Sequence, residues 1–156
     1  MRKGMTLIEI VIVIALITIL TGIYFLAANP AGQLANSRNQ ERSLHLQTIM
    51  NAIRQNIADQ NNEQFACATG ALPTSTSKRM ASGGASGTYD IGPCLIPTYI
   101  FSLPFDPSAT SGHYTANTDY DTGYNIQINS STGQITLSAP YAEKVNNKTT
   151  TISIIR

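Results

Sequence analysis

The chain has 156 residues, only 12% of them charged, and its ten lysines and arginines nearly balance nine acidic residues. This length allows one modest globular domain. The charges form no basic patch, so the composition gives no support to direct nucleic-acid binding. No HExxH, GxSxG or P-loop pattern is present that would favour an enzyme.

Residues 5–28 form an apolar run in which Glu9 is the only charged side chain. About 24 residues at 1.5 Å each make a helix of roughly 36 Å, long enough to span a bilayer once. Arg2 and Lys3 precede the run directly, and the positive-inside rule therefore predicts a cytoplasmic N-terminus and a head outside. The run is longer than the core of a secretory signal peptide and ends without a convincing cleavage site. We expect it to remain in the mature chain.

The stretch "KGMTLIE" at residues 3–9 closely resembles the class III leader of type IV pilins and of the pseudopilins of type II secretion. In that family a membrane prepilin peptidase cuts after the glycine and methylates the new first residue. The resemblance implies removal of leader residues 1–4 by a cut between Gly4 and Met5, and N-methylation of Met5, which replaces the usual phenylalanine. Glycine suits the cut because the absence of Cβ allows close approach to the backbone.

Glu9 stands where this family keeps a glutamate. A carboxylate left unpaired at bilayer depth is disfavoured by roughly 2.5–3.5 kcal/mol. The new amine of Met5 is its expected partner, either in the same helix, since residues four apart share a face, or in a neighbouring filament subunit, as the resemblance implies. We expect Glu9 to set the axial register of subunit docking. The alternative is a carboxylate near the interface that extends to water.

The apolar run is followed by "ANPAGQ", in which Pro30 and Gly32 predict a kinked or locally unwound helix. We expect a flexible helix break between Gly22 and Gly32, which the resemblance also implies. A plain proline kink at the membrane exit is the alternative.

Residues 29–61 are predicted to continue the helix as an amphipathic half that lies against a sheet. Its apolar residues recur at helical spacing. Charged residues are expected on the remaining surface, at Arg38, Glu41, Arg42 and Arg54. The apolar stripe consists of Leu46, Ile49, Met50, Ile53 and Ile57.

Residues 62–156 are predicted to form a globular head. Cys67 and Cys94 are its only cysteines, and two thiols so close in an exported domain are most simply interpreted as a disulfide. The closed loop, about 28 residues, would stabilise the fold by roughly 3–4 kcal/mol. Free thiols or intermolecular pairing are the alternatives.

The head is predicted to contain mostly antiparallel strands. Residues 95–107 are interpreted as a wrapping segment with one short strand. Alternation at 123–129, a turn at 130–133 and a return at 134–139 predict a hairpin, and residues 150–156 predict a third strand. An α+β fold, with a long helix packed on a small antiparallel sheet, is what the resemblance implies.

Asp119 and Asp121 form a D-x-D-x-G arrangement that offers hard oxygen ligands to Ca²⁺. Major pseudopilins carry a calcium loop in the corresponding part of the head, and "LPFDP" at 103–107 resembles their LPxDP stretch. The alternative is that the two aspartates cap the turn before a strand. No other cofactor is expected.

The resemblance implies a structural protein, not an enzyme: the subunit of a type IV pilus-like filament that serves motility, adhesion or DNA uptake. Its implied partners are further copies of itself, the prepilin peptidase, an inner-membrane assembly platform with its ATPase, and membrane lipid before assembly. After assembly, the subunit would be part of an extracellular filament. A major pseudopilin of type II secretion is the nearest alternative, favoured by "LPFDP", whereas the disulfide-bonded loop favours a pilin. A minor pilin that acts as an adhesin or DNA receptor would require a basic stripe or aromatic groove.

Overall fold

The computed structural model describes residues 4–60, 64–145 and 147–156. The leader cations Arg2 and Lys3 lie outside these ranges, as does the predicted boundary between helix and head at residues 61 and 62.

Two consecutive helices form the N-terminal part: α1 is Leu7–Ala28 and α2 is Pro30–Ala58. Asn29 separates them with left-handed backbone angles, φ 37° and ψ 64°, and its side chain accepts a hydrogen bond from the Gly32 amide at 3.2 Å. Pro30 can begin α2 because the first helical position needs no N–H donor. Gly22 lies within regular helix, and the interruption is at Asn29, inside the range from Gly22 to Gly32 in which a break was expected.

Helix α2 packs its apolar stripe against the sheet, as the spacing predicts. Leu46, Ile49 and Ile53 are fully buried and Met50 is 3% exposed, while Ile57 is partly buried at the edge of the same core. Burial of these side chains, at roughly 25 cal/mol per Å² of apolar surface, holds α2 on the head.

Within the described ranges, one sheet contains six strands in the order β2-β1-β4-β5-β6, with β3 pairing the first residues of β4. All pairs are antiparallel except β1 and β2, which are parallel. The predicted hairpin is β4 and β5, and the predicted third strand is β6. The strands are β1 Lys78–Ala81, β2 Thr88–Tyr89, β3 His113–Ala116, β4 Asp119–Ile128, β5 Ile135–Ala139 and β6 Ile152–Ile155.

The α+β class is confirmed, but the sequence did not predict β1, β2 and β3, and the sheet is mixed rather than purely antiparallel. The short strand predicted within residues 95–107 is wrong: the short helix α3, Gly92–Leu95, enters this segment, which continues as an irregular chain. Leu103 and Ile96 in that segment reach the core, so it covers the sheet without joining it.

The disulfide between Cys67 and Cys94 is confirmed, with its Cα atoms 4.9 Å apart. The loop that it closes contains β1 and β2, and Met80 and Tyr89 from these strands are buried in the core. The cross-link therefore staples a segment that contributes directly to packing.

Candidate functional site

Helix α1 exposes apolar side chains on every side. Its large hydrophobic residues, from Leu7 to Phe25, are between 43% and 82% exposed. It is the candidate membrane span found among the described residues, and none of its most apolar 18-residue window is buried. A helix that is apolar all round needs lipid or other helices around it.

The two threonine hydroxyl groups of α1 are satisfied within the helix. Thr18 donates its hydroxyl hydrogen bond to the Ala15 carbonyl at 2.8 Å, and Thr21 donates to the Ile17 carbonyl at 2.7 Å. Polar groups in a water-free environment must find partners internally. These two threonines therefore carry no cost that would prevent α1 from entering lipid or a dry bundle of helices.

Glu9 lies in the first turn of α1. Thr6 caps this turn: its side-chain oxygen accepts a hydrogen bond from the Glu9 amide at 3.3 Å. A carboxylate at a helix N-terminus is favoured by the helix dipole. The side chain of Glu9 is exposed, and across residues 4–60, 64–145 and 147–156 it forms no ion pair.

Gly4, Met5 and Glu9 lie together at the free end of α1, and Met5 is 62% exposed. The nitrogen of Met5 is still an amide in the precursor, because Gly4 precedes it. Its charge would exist only after cleavage between these two residues.

In α2, Arg42 is fully buried, so its predicted position on the polar surface of this helix is wrong. It lies four residues before Leu46, on the same face as the apolar stripe. Its guanidinium donates two hydrogen bonds to the Asp106 carboxylate, at 2.8 and 3.1 Å, and both side chains are 0% exposed. The helical spacing was the signal that could have located Arg42.

A cluster of polar side chains surrounds this pair; we call it the junction cluster. Arg38 donates two hydrogen bonds to Glu143, at 2.7 and 2.6 Å, and Arg42 also contacts Glu143 at 3.1 Å. Asn39 accepts from the Glu143 amide at 2.9 Å and donates to its carbonyl at 2.8 Å. The junction cluster fastens α2 to two loops of the head. It consists of Arg38, Asn39, Arg42, Asp106, Ser108 and Glu143.

The arginines keep both carboxyl groups of the junction cluster charged. Hydrogen bonds from Arg38 lower the pKa of Glu143 to about 2. Burial opposes the charge on Asp106, but hydrogen bonds from Arg42 and Ser108 outweigh it and hold the pKa of Asp106 below its usual range. The cluster is therefore fully ionised at neutral pH.

Asp119 is the first residue of β4, directly after the turn at residues 117 and 118, and Asp121 lies two residues further along the strand. Asp121 accepts a hydrogen bond from Arg79 at 2.6 Å, and Asp119 contacts His113 at 3.0 Å. In the part of the chain that the structure describes, no three His, Cys, Asp or Glu side chains are grouped to hold a metal ion. The side chains present do not fit the calcium site that the sequence suggested.

Residues 1–25 match the family model of the prokaryotic N-terminal methylation motif. This motif supports the resemblance of the N-terminal segment to precursors of type IV pilins and pseudopilins. The match covers the class III prepilin leader and most of the apolar helix. Searches of the curated proteins and of the solved structures found no significant match. Outside the matched residues, the chain is characterised by its fold, a long helix packed on a six-stranded sheet.

Proposed function

We propose that the mature chain is the structural subunit of a type IV pilus-like filament, with α1 in the filament core and the head on its surface. The observation that carries the proposal is the apolar surface of α1, which is exposed on every side while α2 is seated on the head. Lipid covers this apolar surface before assembly, and the α1 helices of neighbouring subunits cover it afterwards. Apolar helices of this kind associate in lipid through close packing and interhelical polar contacts.

Cleavage after Gly4 would create the positively charged partner that Glu9 lacks in the precursor. A new amine at Met5 can pair with Glu9 of a neighbouring subunit, and the pair removes an unpaired charge from a setting of low dielectric constant. Because a mismatched register would leave both charges alone, this pair selects one axial offset between subunits. The prepilin peptidase is therefore a required partner, and an assembly platform with its ATPase would supply the work of extraction.

Replacement of Glu9 tests the proposal. Glu9→Val is expected to insert into the membrane and to be cleaved, but to yield no filaments, because the charge that sets the register is lost. Thr18→Val is the matched control: it also removes one polar group from α1, but the hydroxyl that it removes is satisfied within its own helix. Membrane fractionation, the mobility shift on cleavage and electron microscopy of sheared material are the readouts. Normal filaments from Glu9→Val would contradict the proposal.

A major pseudopilin of type II secretion is the second candidate. The "LPFDP" stretch favours it, and its Leu103 and Asp106 are 2% and 1% exposed, so this stretch is an integral part of the head. Electron microscopy of the producing cells distinguishes the two functions. Long external fibres at ordinary expression indicate a pilus, and fibres that form only on overproduction indicate a pseudopilin.

A further inference from the structure

The carboxylate of Asp121 is surrounded by donors from this chain. One oxygen accepts hydrogen bonds from Arg79 Nε at 2.6 Å and from the Gly123 amide at 2.9 Å, and the other accepts from the Ser111 hydroxyl at 3.0 Å. Arg79 also donates to Ser111 at 2.7 Å. Arg79, Ser111 and Asp121 therefore form a closed ring of hydrogen bonds. The guanidinium of Arg79 supplies the positive charge that faces the Asp121 carboxylate.

Arg79 joins four segments of the head through these contacts. It is part of β1, inside the disulfide-bonded loop, and it reaches Asp121 in β4 and Ser111 in the preceding loop. Its guanidinium also lies 5.7 Å from the centre of the Tyr141 ring, which follows β5. Arg79 thus holds together segments of the head that lie far apart in sequence.

The other acidic side chains near this point also contact basic side chains of the chain. Asp119 contacts His113 at 3.0 Å, and the buried Asp106 is bound by Arg42. Asp106 approaches Gly123 so closely that a Cβ on this glycine would lie 3.0 Å from the Cβ of Asp106. Gly123 has φ +73°, so this glycine permits a left-handed backbone and a close loop contact. Each position of the D-x-D-x-G stretch thus has a role that needs no metal.

We infer that Arg79 is a built-in cation that takes the place of a structural calcium ion, and that the head folds and remains stable without calcium. The donors from Arg79, Gly123 and Ser111 engage both oxygens of Asp121, and the guanidinium supplies the compensating charge. A charge-assisted hydrogen bond from a guanidinium to a carboxylate, such as the one from Arg79 Nε to Asp121, is stronger than a bond between neutral groups. The inference concerns the head alone and holds for a pilus and for a pseudopilus.

Thermal unfolding of the purified full-length chain in detergent, with its disulfide intact, tests the calcium-independence. A ligand that binds only the folded state raises the unfolding midpoint in proportion to its occupancy. We expect the same midpoint in excess calcium chloride and in excess EGTA, and no saturable heat in a calcium titration. A midpoint that rises by several degrees in calcium, or saturable calcium binding, would overturn the inference.

Substitution of Arg79 tests its role as the internal cation. Arg79→Gln is expected to lower the midpoint by about 4–8 °C, a shift typical of losing one strong interaction in a domain of this size. Arg54→Gln, at an exposed position of α2, is the matched control and should leave it unchanged. Ser111→Ala retains both charges and should give a smaller decrease, so it remains informative if Arg79→Gln does not fold. Midpoints of Arg79→Gln and Ser111→Ala equal to that of the control would overturn the role of Arg79.

Discussion

Helices α1 and α2 are separated by a single residue, yet they differ in how their apolar side chains are buried. In α1, apolar side chains from Leu7 to Phe25 surround the helix and are 43–82% exposed, whereas α2 carries a one-sided apolar stripe that is largely buried against the sheet. A one-sided stripe can be covered by the chain's own sheet, but an apolar surface on all sides cannot. The pattern therefore shows which helix belongs to the head and which must be completed from outside.

The two helices also treat charge differently. In α2, the buried Arg42 is matched by Asp106 and Glu143 of the same chain. In α1, Glu9 has no ion-pair partner in the described part of the chain, and its proposed partner is created only by cleavage. A charge satisfied internally stabilises the head, while a charge left for another subunit can direct assembly.

The largest effect on the head is expected from Arg42→Ala. It leaves Asp106 buried without its cation, and removal of one partner of a buried pair typically costs about 3–5 kcal/mol. The free energy of unfolding in urea at neutral pH measures this loss. Arg54→Ala, an arginine on the exposed side of the same helix, is the control. Equal losses from the two variants would mean that the junction cluster does not fasten α2.

Removal of apolar volume from the stripe of α2 is expected to cost somewhat less. Ile53 is fully buried, so Ile53→Ala should lower the free energy of unfolding by about 2–5 kcal/mol. Leu44→Ala, on the same helix at a position 62% exposed, should change it by no more than about 0.5 kcal/mol. Similar values for both substitutions would show that α2 is not seated as described.

Acid should weaken the junction cluster. The pKa of Glu143 is lowered from 4.5 to about 2, and that of Asp106 is also lowered. A carboxyl group with a depressed pKa in the folded state contributes stability above its unfolded pKa and loses it as the pH falls. The thermal unfolding midpoint of the head should therefore decrease as the pH is lowered from 4.5 to 2. Glu143→Gln should show a smaller decrease over the same pH range. An unchanged profile in Glu143→Gln would exclude Glu143 as a source of acid sensitivity.

The smallest effect on unfolding is expected in α1. Ile12 is 54% exposed, so Ile12→Ala should change the unfolding free energy of the head by no more than about 0.5 kcal/mol. The same substitution should reduce the yield and shear resistance of filaments, because it removes apolar surface from the proposed core. Destabilisation of the head comparable to that of Ile53→Ala would remove the distinction between the two helices.

The sequence predicted those features that depend on local periodicity. Periodicity predicted the amphipathic stripe of α2, the hairpin of β4 and β5, and the final strand. The disulfide was predicted because the chain has only two cysteines. Strands β1, β2 and β3 were not, because they are short and lie among Gly, Ser and Thr, so they are defined by their pairing with distant segments.

Long-range charge pairing was likewise hidden from the sequence. Asp106 and Glu143 lie 64 and 101 residues from Arg42, and no local pattern connects them. The same limit applies to Asp121, because Arg79, which donates a hydrogen bond to it, lies 42 residues away and no local pattern connects the two.

Intact mass spectrometry of subunits recovered from sheared filaments tests the assembly mechanism most directly. We expect the mass of a chain that begins at Met5, carries one added methyl group, and lacks two hydrogens because Cys67 and Cys94 are joined. Subunits that retain residues 1–4 in normal filaments would show that no amine is created beside Glu9, and would contradict assembly by pairing of these two charges.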